Sequence, residues 1–285
     1  MLGQRILTAI VLLAILAGAL ASDQPMWFLA LLALASACAA WEWLRLTLPA
    51  DLPRATGPAT AILLFVVMLG TAGLWAQGGD LALPLQRFVS AVLAPAASLV
   101  WLLGASVAVV KGRADAPPGS VGWSLFAPLA LVTGWAVLAL MYLAYGGVFV
   151  VSLLALVWVA DIAAYFAGRA LGRHKLAPRV SPGKTIEGAI AGVAGAVIWI
   201  LLSSLWQGTF GALLVERWTV WGAIPLAALL GMIAIMGDLF ESLLKRRAGR
   251  KDSSSLLPGH GGVYDRIDAI IPVMPVALLL SGVMS

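Results

Sequence analysis

Two acid-bearing helical stripes with a glycine turn between them concentrate most of the chemistry this chain can perform. Asp238, Glu241, Ser242 and Lys245 recur at i, i+3, i+4 and i+7, so they stand along one helical face, and Asp265 and Asp268, three apart, share another. The intervening Pro258-Gly259-His260-Gly261-Gly262 turn permits positive-φ backbone and close approach of main-chain N–H groups to an anion. Lys245, Arg246, Arg247, Arg250 and Lys251 precede the turn and Arg266 follows it. Converging carboxylates can hold a divalent cation and basic side chains can neutralise phosphate oxygens, so the stretch from Ser242 to Asp268 has the composition of a phosphate-handling site.

A second group lies upstream. Asp161, Tyr165 and Arg169 follow i, i+4, i+8, and Gly168 and Gly172 place small residues four apart, which permits tight helix contact. Arg169 is the structural alternative to a cation as the partner of Asp161. Ser181-Pro182-Gly183-Lys184-Thr185-Ile186-Glu187-Gly188 imitates a nucleotide-binding P-loop, but Pro178 stands where that pattern needs its first glycine and no soluble strand precedes it. A phosphate contact from Lys184 survives, because a lysine beside a helix start adds its charge to that of the orphan amides; a topology signal is its other reading. His174 and His260 are too few and too far apart for zinc, and the oxygen ligands point to magnesium.

These residues must be positioned by membrane helices. Of 285 residues 62% are hydrophobic and 11% charged, with a mean hydropathy of +1.00, which excludes a soluble domain. Trp27, Trp43, Trp75, Trp123 and Trp221 lie near the ends of apolar runs, as headgroup-level anchors do, and packing between helices is the equal alternative for any one of them. Cys38 alone permits neither an intrachain disulfide nor a thiolate cluster. The net charge of +5 reflects basic residues in loops between spans, so no nucleic-acid partner is expected.

Apolar runs of about 20 residues fall near 5–21, 26–46, 58–76, 88–110, 122–143, 147–168, 186–206, 220–240 and 267–284. The expected fold is an all-α polytopic membrane protein of about nine transmembrane helices with a cytoplasmic N-terminus, an orientation that puts 16 of the 18 basic residues inside and leaves only Arg87 and Arg217 outside. Met1 to Ala21 imitates a secretory signal, and retention as the first span is expected. Only Ala144 to Gly147 separates the fifth and sixth spans, so a re-entrant pair is the alternative there. Residues 1–110 read as a transmembrane scaffold and 111–285 as the catalytic region. Asp238 lies about 10 Å along the axis from Lys245, below the membrane surface if that lysine is interfacial. An uncompensated carboxylate there costs about 3 kcal/mol, so a metal or a buried salt bridge must accompany it.

Ser242-x-x-Lys245-Arg246, Lys251-Asp252 and Leu257-Pro258-x-His260-Gly261-Gly262-Val263-x-Asp265-Arg266-Ile267-Asp268 together resemble the signature of the phosphatidate cytidylyltransferase (CDP-diacylglycerol synthase) family without departure. Asp161 to Arg169, Ser181 to Gly188 and Gly237-Asp238 resemble other segments of that family, so the likeness is strong over about 155–285. It implies condensation of CTP with phosphatidic acid to CDP-diacylglycerol and pyrophosphate, in a bacterial inner membrane with the site facing the cytoplasm. The expected roles are catalytic for Asp238, Asp265, Asp161 and Lys245. Asp238, Asp265 and Asp268 are the expected ligands of Mg2+, with room for a second cation. Substrate binding is expected from Lys184, Ser181, Thr185, Arg246, Lys251, His260, Gly261, Gly262 and Arg266. Oligomeric state stays open, a homodimer included. A lipid flippase or secondary transporter would also use intramembrane carboxylates, but the crowding of both charge signs on one face and the absence of visible inverted repeats disfavour it.

Overall fold

A computed structural model describes the backbone of residues 2–282 and the side chains of residues 7–282. Met1, the Arg5 side chain and the last residues of the expected ninth span therefore lie outside the described residues. The chain is helical almost throughout. In order come α1 (Leu2–Ala21), α2 (Pro25–Thr47), α3 (Thr56–Gln77), then α4 (Ala82–Phe88), α5 (Ala94–Leu99) and α6 (Ser106–Lys111), which continue one another through two π-turns. Next are α7 (Val121–Leu171), α8 (Ile186–Ser203), α9 (Phe210–Arg247), α10 (Tyr264–Ile267) and α11 (Ile270–Ser281). Among the described residues six helical runs are long and apolar enough to cross a membrane, which makes this a multi-pass membrane protein.

Two breaks decide the layout. The fifth and sixth expected spans form the single run α7, interrupted at Gly146 with φ 81 and ψ −176. An unbroken helix of 51 residues would be about 76 Å long. Yet Ser120, the N-cap of α7, donates its N–H to Thr47 O at 2.8 Å, and Leu131 and Asp161 line one cavity. The chain therefore folds back at Gly146, where glycine meets the positive φ without Cβ strain. In α9 the break is at Thr219, which adopts φ 59, an uncommon conformation for a β-branched residue.

The expectation of an all-helical chain needs one correction. In the connection between α7 and α8, β1 (Lys175–Ala177) and β2 (Ser181–Thr185) form an antiparallel hairpin with Lys175 opposite Thr185 and Ala177 opposite Ser181. Pro178 and Gly183 disfavour helix there, and a two-stranded ladder satisfies the backbone instead. Thr185 then caps α8, its Oγ1 accepting from Gly188 N at 3.1 Å.

An aromatic cluster fixes the register of the elements that carry acids. Trp43 of α2 stacks on Tyr264 of α10 at 5.0 Å and meets Phe240 of α9 at 5.5 Å, with Trp101 and Phe126 closing the group. Trp43, Phe240 and Tyr264 are each at most 1% exposed. Aromatic pairs of this kind contribute about 0.5–1.5 kcal/mol each beyond the area they bury. Each of the three is followed or preceded directly by an acid, Glu42, Glu241 and Asp265. Packing the rings therefore also sets where three carboxylates stand.

Candidate active site

α9 projects Asp238 and Glu241 one turn apart, and Asp268 follows α10; one carboxylate oxygen from each of the three lies within 4.8 Å of the others. Gly237 makes the approach possible. A β-carbon there would meet Pro272 Cγ at 2.5 Å and Asp268 O at 2.6 Å, so only glycine lets α9 come this close to the start of α11. Asp161 of α7 lines the same cavity, close enough for the charges of Asp238 and Lys184 to act on it.

Two lysines answer this negative charge. Lys184, at the end of the β-hairpin, pairs with Asp238 Oδ2. Lys245 Nζ bridges Glu241 Oε2 at 2.5 Å and Asp265 Oδ1 at 2.7 Å. Glu241 is 1% exposed, and its Oε1 is buried without a hydrogen-bond partner among the described residues. A buried acceptor left over in this way, beside two more carboxylates, fits a divalent cation with oxygen ligands.

Asp265, expected beside Asp238 and Asp268, is turned toward the loop. Its Oδ2 accepts from Ser253 N at 3.0 Å, Ser253 Oγ at 2.9 Å and Gly262 N at 2.7 Å, while Oδ1 faces Lys245. The side chain holds the loop together, and Glu241 takes its place in the three-carboxylate group. Gly261 has φ +83, and a β-carbon there would lie 2.7 Å from Asp265 Oδ2, so both conformation and space require glycine.

The remaining expected residues divide. Ser181, Thr185, His260 and Arg266 line the cavity with Lys184, and Arg266 also clasps the turn by donating from Nε and Nη2 to His260 O at 3.1 and 2.8 Å. Arg246 and Lys251 are not among its lining residues: Arg246 Nε donates to Val180 O at 3.3 Å, and Lys251 is exposed on the loop. Arg169, the alternative partner of Asp161, donates to Tyr165 Oη at 3.3 Å instead. His174 pairs with Glu187 at 2.6 Å outside the acid group.

Sequence reasoning missed Glu42 altogether. Its carboxylate is 0% exposed and receives Ser253 Oγ, Ser254 Oγ, Val263 N and Tyr264 N. The available signal was a carboxylate inside an otherwise apolar span.

Asp161, Lys184, Asp238, Glu241, Lys245 and Asp268 line a cavity of about 1510 Å³ together with apolar side chains, among them Leu12 and Leu16 of α1, Leu31 of α2 and Leu138 and Leu154 of α7. A lining that holds both charged groups and extensive apolar surface suits a ligand with a phosphate head and hydrocarbon chains.

The Cytidylyltransferase family model matches residues 3–284. The chain is 39% identical to the phosphatidate cytidylyltransferase of Pseudomonas aeruginosa over 97% of this chain and 95% of that protein. Similarity to the protein of the same name from Haemophilus influenzae is 35% identity over 96% of each. To that from Brucella suis it is 47% over 49% of this chain and 48% of the relative. A match spanning nearly every residue, with near full-length relatives above 30% identity, means that the chain belongs to the cytidylyltransferase family.

Proposed function

We infer that this protein transfers CMP from CTP to phosphatidic acid, giving CDP-diacylglycerol and pyrophosphate. The observation that carries the reading is the meeting of Asp238, Glu241 and Asp268 with Lys184 and Lys245 in the lining of a large, mostly apolar cavity. In the reaction a phosphate oxygen of the lipid forms a bond to the α-phosphorus of CTP, and the bond from that phosphorus to the β-phosphate oxygen breaks. No covalent enzyme intermediate is needed, since the lipid is itself the nucleophile.

The difficulty is electrostatic, because two anions must meet while charge grows on the departing pyrophosphate. Asp238, Glu241 and Asp268 would hold Mg2+, which supplies charge neutralisation and orientation of phosphate oxygens. Lys184 is the group placed to leave its carboxylate for a phosphate, since it pairs with the partly exposed Asp238. Lys245, held between Glu241 and Asp265, keeps Glu241 oriented toward the cation position. Ser181, Thr185, His260 and Arg266 contribute further donors around the head group.

The same reading assigns nine spans. These are α1, α2, α3, the run α4–α6, the two arms of α7, α8, α9 beyond Thr219, and α10 with α11. It places the N-terminus and the charged loops in the cytoplasm of a bacterial inner membrane, where CTP is supplied. Residues 1–110 act mainly as wall, with Glu42 their contribution to the site.

The test is purified protein in detergent with phosphatidate, radiolabelled CTP and magnesium. Label in lipid with release of pyrophosphate is expected, and loss of both when magnesium is omitted. Asp238→Asn and Asp268→Asn should lower the rate by about 1,000-fold or more, whereas Asp252→Asn, altering an exposed loop residue of the cavity lining outside the three-carboxylate group, should lower it much less. A wild-type enzyme that leaves the lipid unlabelled would overturn the reading.

A further inference from the structure

We propose that Glu42 is a positioning residue for the transfer reaction, a clamp in α2 that holds the site loop in its working shape. The inference rests on the function proposed above. Oε1 receives Ser254 Oγ at 2.5 Å and Val263 N at 3.1 Å; Oε2 receives Ser253 Oγ at 3.0 Å and Tyr264 N at 2.6 Å. Four donors converge on one carboxylate from both ends of the loop, two of them main-chain amides that have no other acceptor in the ladder of α10.

The clamp reaches the reacting groups through a short chain of contacts. Ser253, held by Glu42, gives both its N–H and its hydroxyl to Asp265. Asp265 in turn holds Lys245, and Lys245 holds Glu241 of the three-carboxylate group. Gly262 lies against the clamp, because a β-carbon there would overlap Ser253 Oγ and the Glu42 carboxylate. Trp43, the next residue, stacks on Tyr264, so ring packing and carboxylate fix the same two elements together. Neutral hydrogen bonds could tie a loop to a helix more cheaply than a buried carboxylate does. The use of a charge-bearing acceptor, whose bonds are shorter and about twice as strong, matches a loop whose placement must be held closely.

Glu42→Gln tests the idea because it preserves size while setting an NH2 group against one of the main-chain donors. Wild-type, Glu42→Gln, Glu42→Asp and Ser254→Ala proteins are purified in detergent and compared in two ways. The first is hydrogen exchange of the peptide carrying Val263 and Tyr264, without metal or nucleotide. In Glu42→Gln that exchange should quicken about tenfold or more. The second is steady-state transfer well below the melting temperature. There kcat should fall about 100-fold, the cost of a misplaced reacting group, while KM for CTP stays within about threefold. Glu42→Asp, retaining the acceptors on a shorter stem, should recover part of kcat, and Ser254→Ala should move both readouts the same way by less. Ser254→Ala decides the matter alone if the Glu42 variants fail to fold.

Wild-type exchange and wild-type kcat in folded Glu42→Gln would overturn the inference. A lowered melting temperature with unchanged kcat would overturn it too, since that is the mark of a merely structural lock. An unlabelled lipid with the wild-type protein would remove the functional reading, and the exchange measurement would still decide whether the clamp exists.

Discussion

Asp265 directs both of its carboxylate oxygens at the protein itself. Three donors from the loop meet Oδ2 and the Lys245 ammonium meets Oδ1. An amide in its place must turn its NH2 toward one side or the other. Toward Oδ2 it opposes Ser253 N and Gly262 N, and toward Oδ1 it opposes Lys245. Either way a buried donor faces a donor. Breaking a buried, hydrogen-bonded charge network by altering one partner costs about 3 kcal/mol or more. Asp265→Asn should therefore lower the melting temperature in detergent and also lower transfer, because Lys245 then no longer steadies Glu241. Asp252→Asn is the control for a nearby acid on the exposed loop. Equal melting of Asp265→Asn and wild type would contradict the role assigned to this carboxylate.

At the scale of elements, the junction of α9 with α11 determines whether the acids meet. Gly237 precedes Asp238, and Pro272 and Asp268 O occupy the space a β-carbon would need. Gly237→Ala leaves every carboxylate in the sequence and adds one methyl group at the contact. It should part the two elements slightly and raise the magnesium concentration for half-maximal activity about tenfold, the range seen when supporting contacts of a metal site are altered. An unchanged magnesium requirement would show that the helices do not need this approach. Much of the site was readable beforehand from periodicity: the 238–241–245 stripe stands on one face of α9 as its spacing requires. That Glu241, and not Asp265, stands within 4.8 Å of both Asp238 and Asp268 was not readable. Helical spacing reveals which residues share a face, but which of two nearby acids is captured by loop amides depends on the shape of the loop. Glu42 was further out of reach, since its partners lie 211 to 222 residues away and no local pattern records them. The β-hairpin escaped because its strands are short and bracket a basic turn in place of alternating apolar residues.

At the scale of the whole molecule, the run of α1 bears on which way the chain faces. Near its start Thr8 Oγ1 donates to Pro258 O at 3.0 Å, in the turn that borders the site. Near its end Leu20 Cδ2 would lie 3.2 Å from a β-carbon at Gly147, beside the break where α7 folds back. Twelve residues of helix rise about 18 Å, so α1 runs that far from the site toward the α7 break. On the proposed topology the start of the chain and the charged loops share a face, and the concentration of Lys and Arg there is expected to set it inside. To check this, Cys38 is replaced by serine and single cysteines are introduced as Lys251→Cys and Asp80→Cys, both at exposed loop positions. A membrane-impermeant maleimide added to intact spheroplasts should label Asp80→Cys and spare Lys251→Cys until the membrane is opened. The reverse pattern would put the carboxylates on the side without CTP, and the proposed reaction would then have no access to its nucleotide.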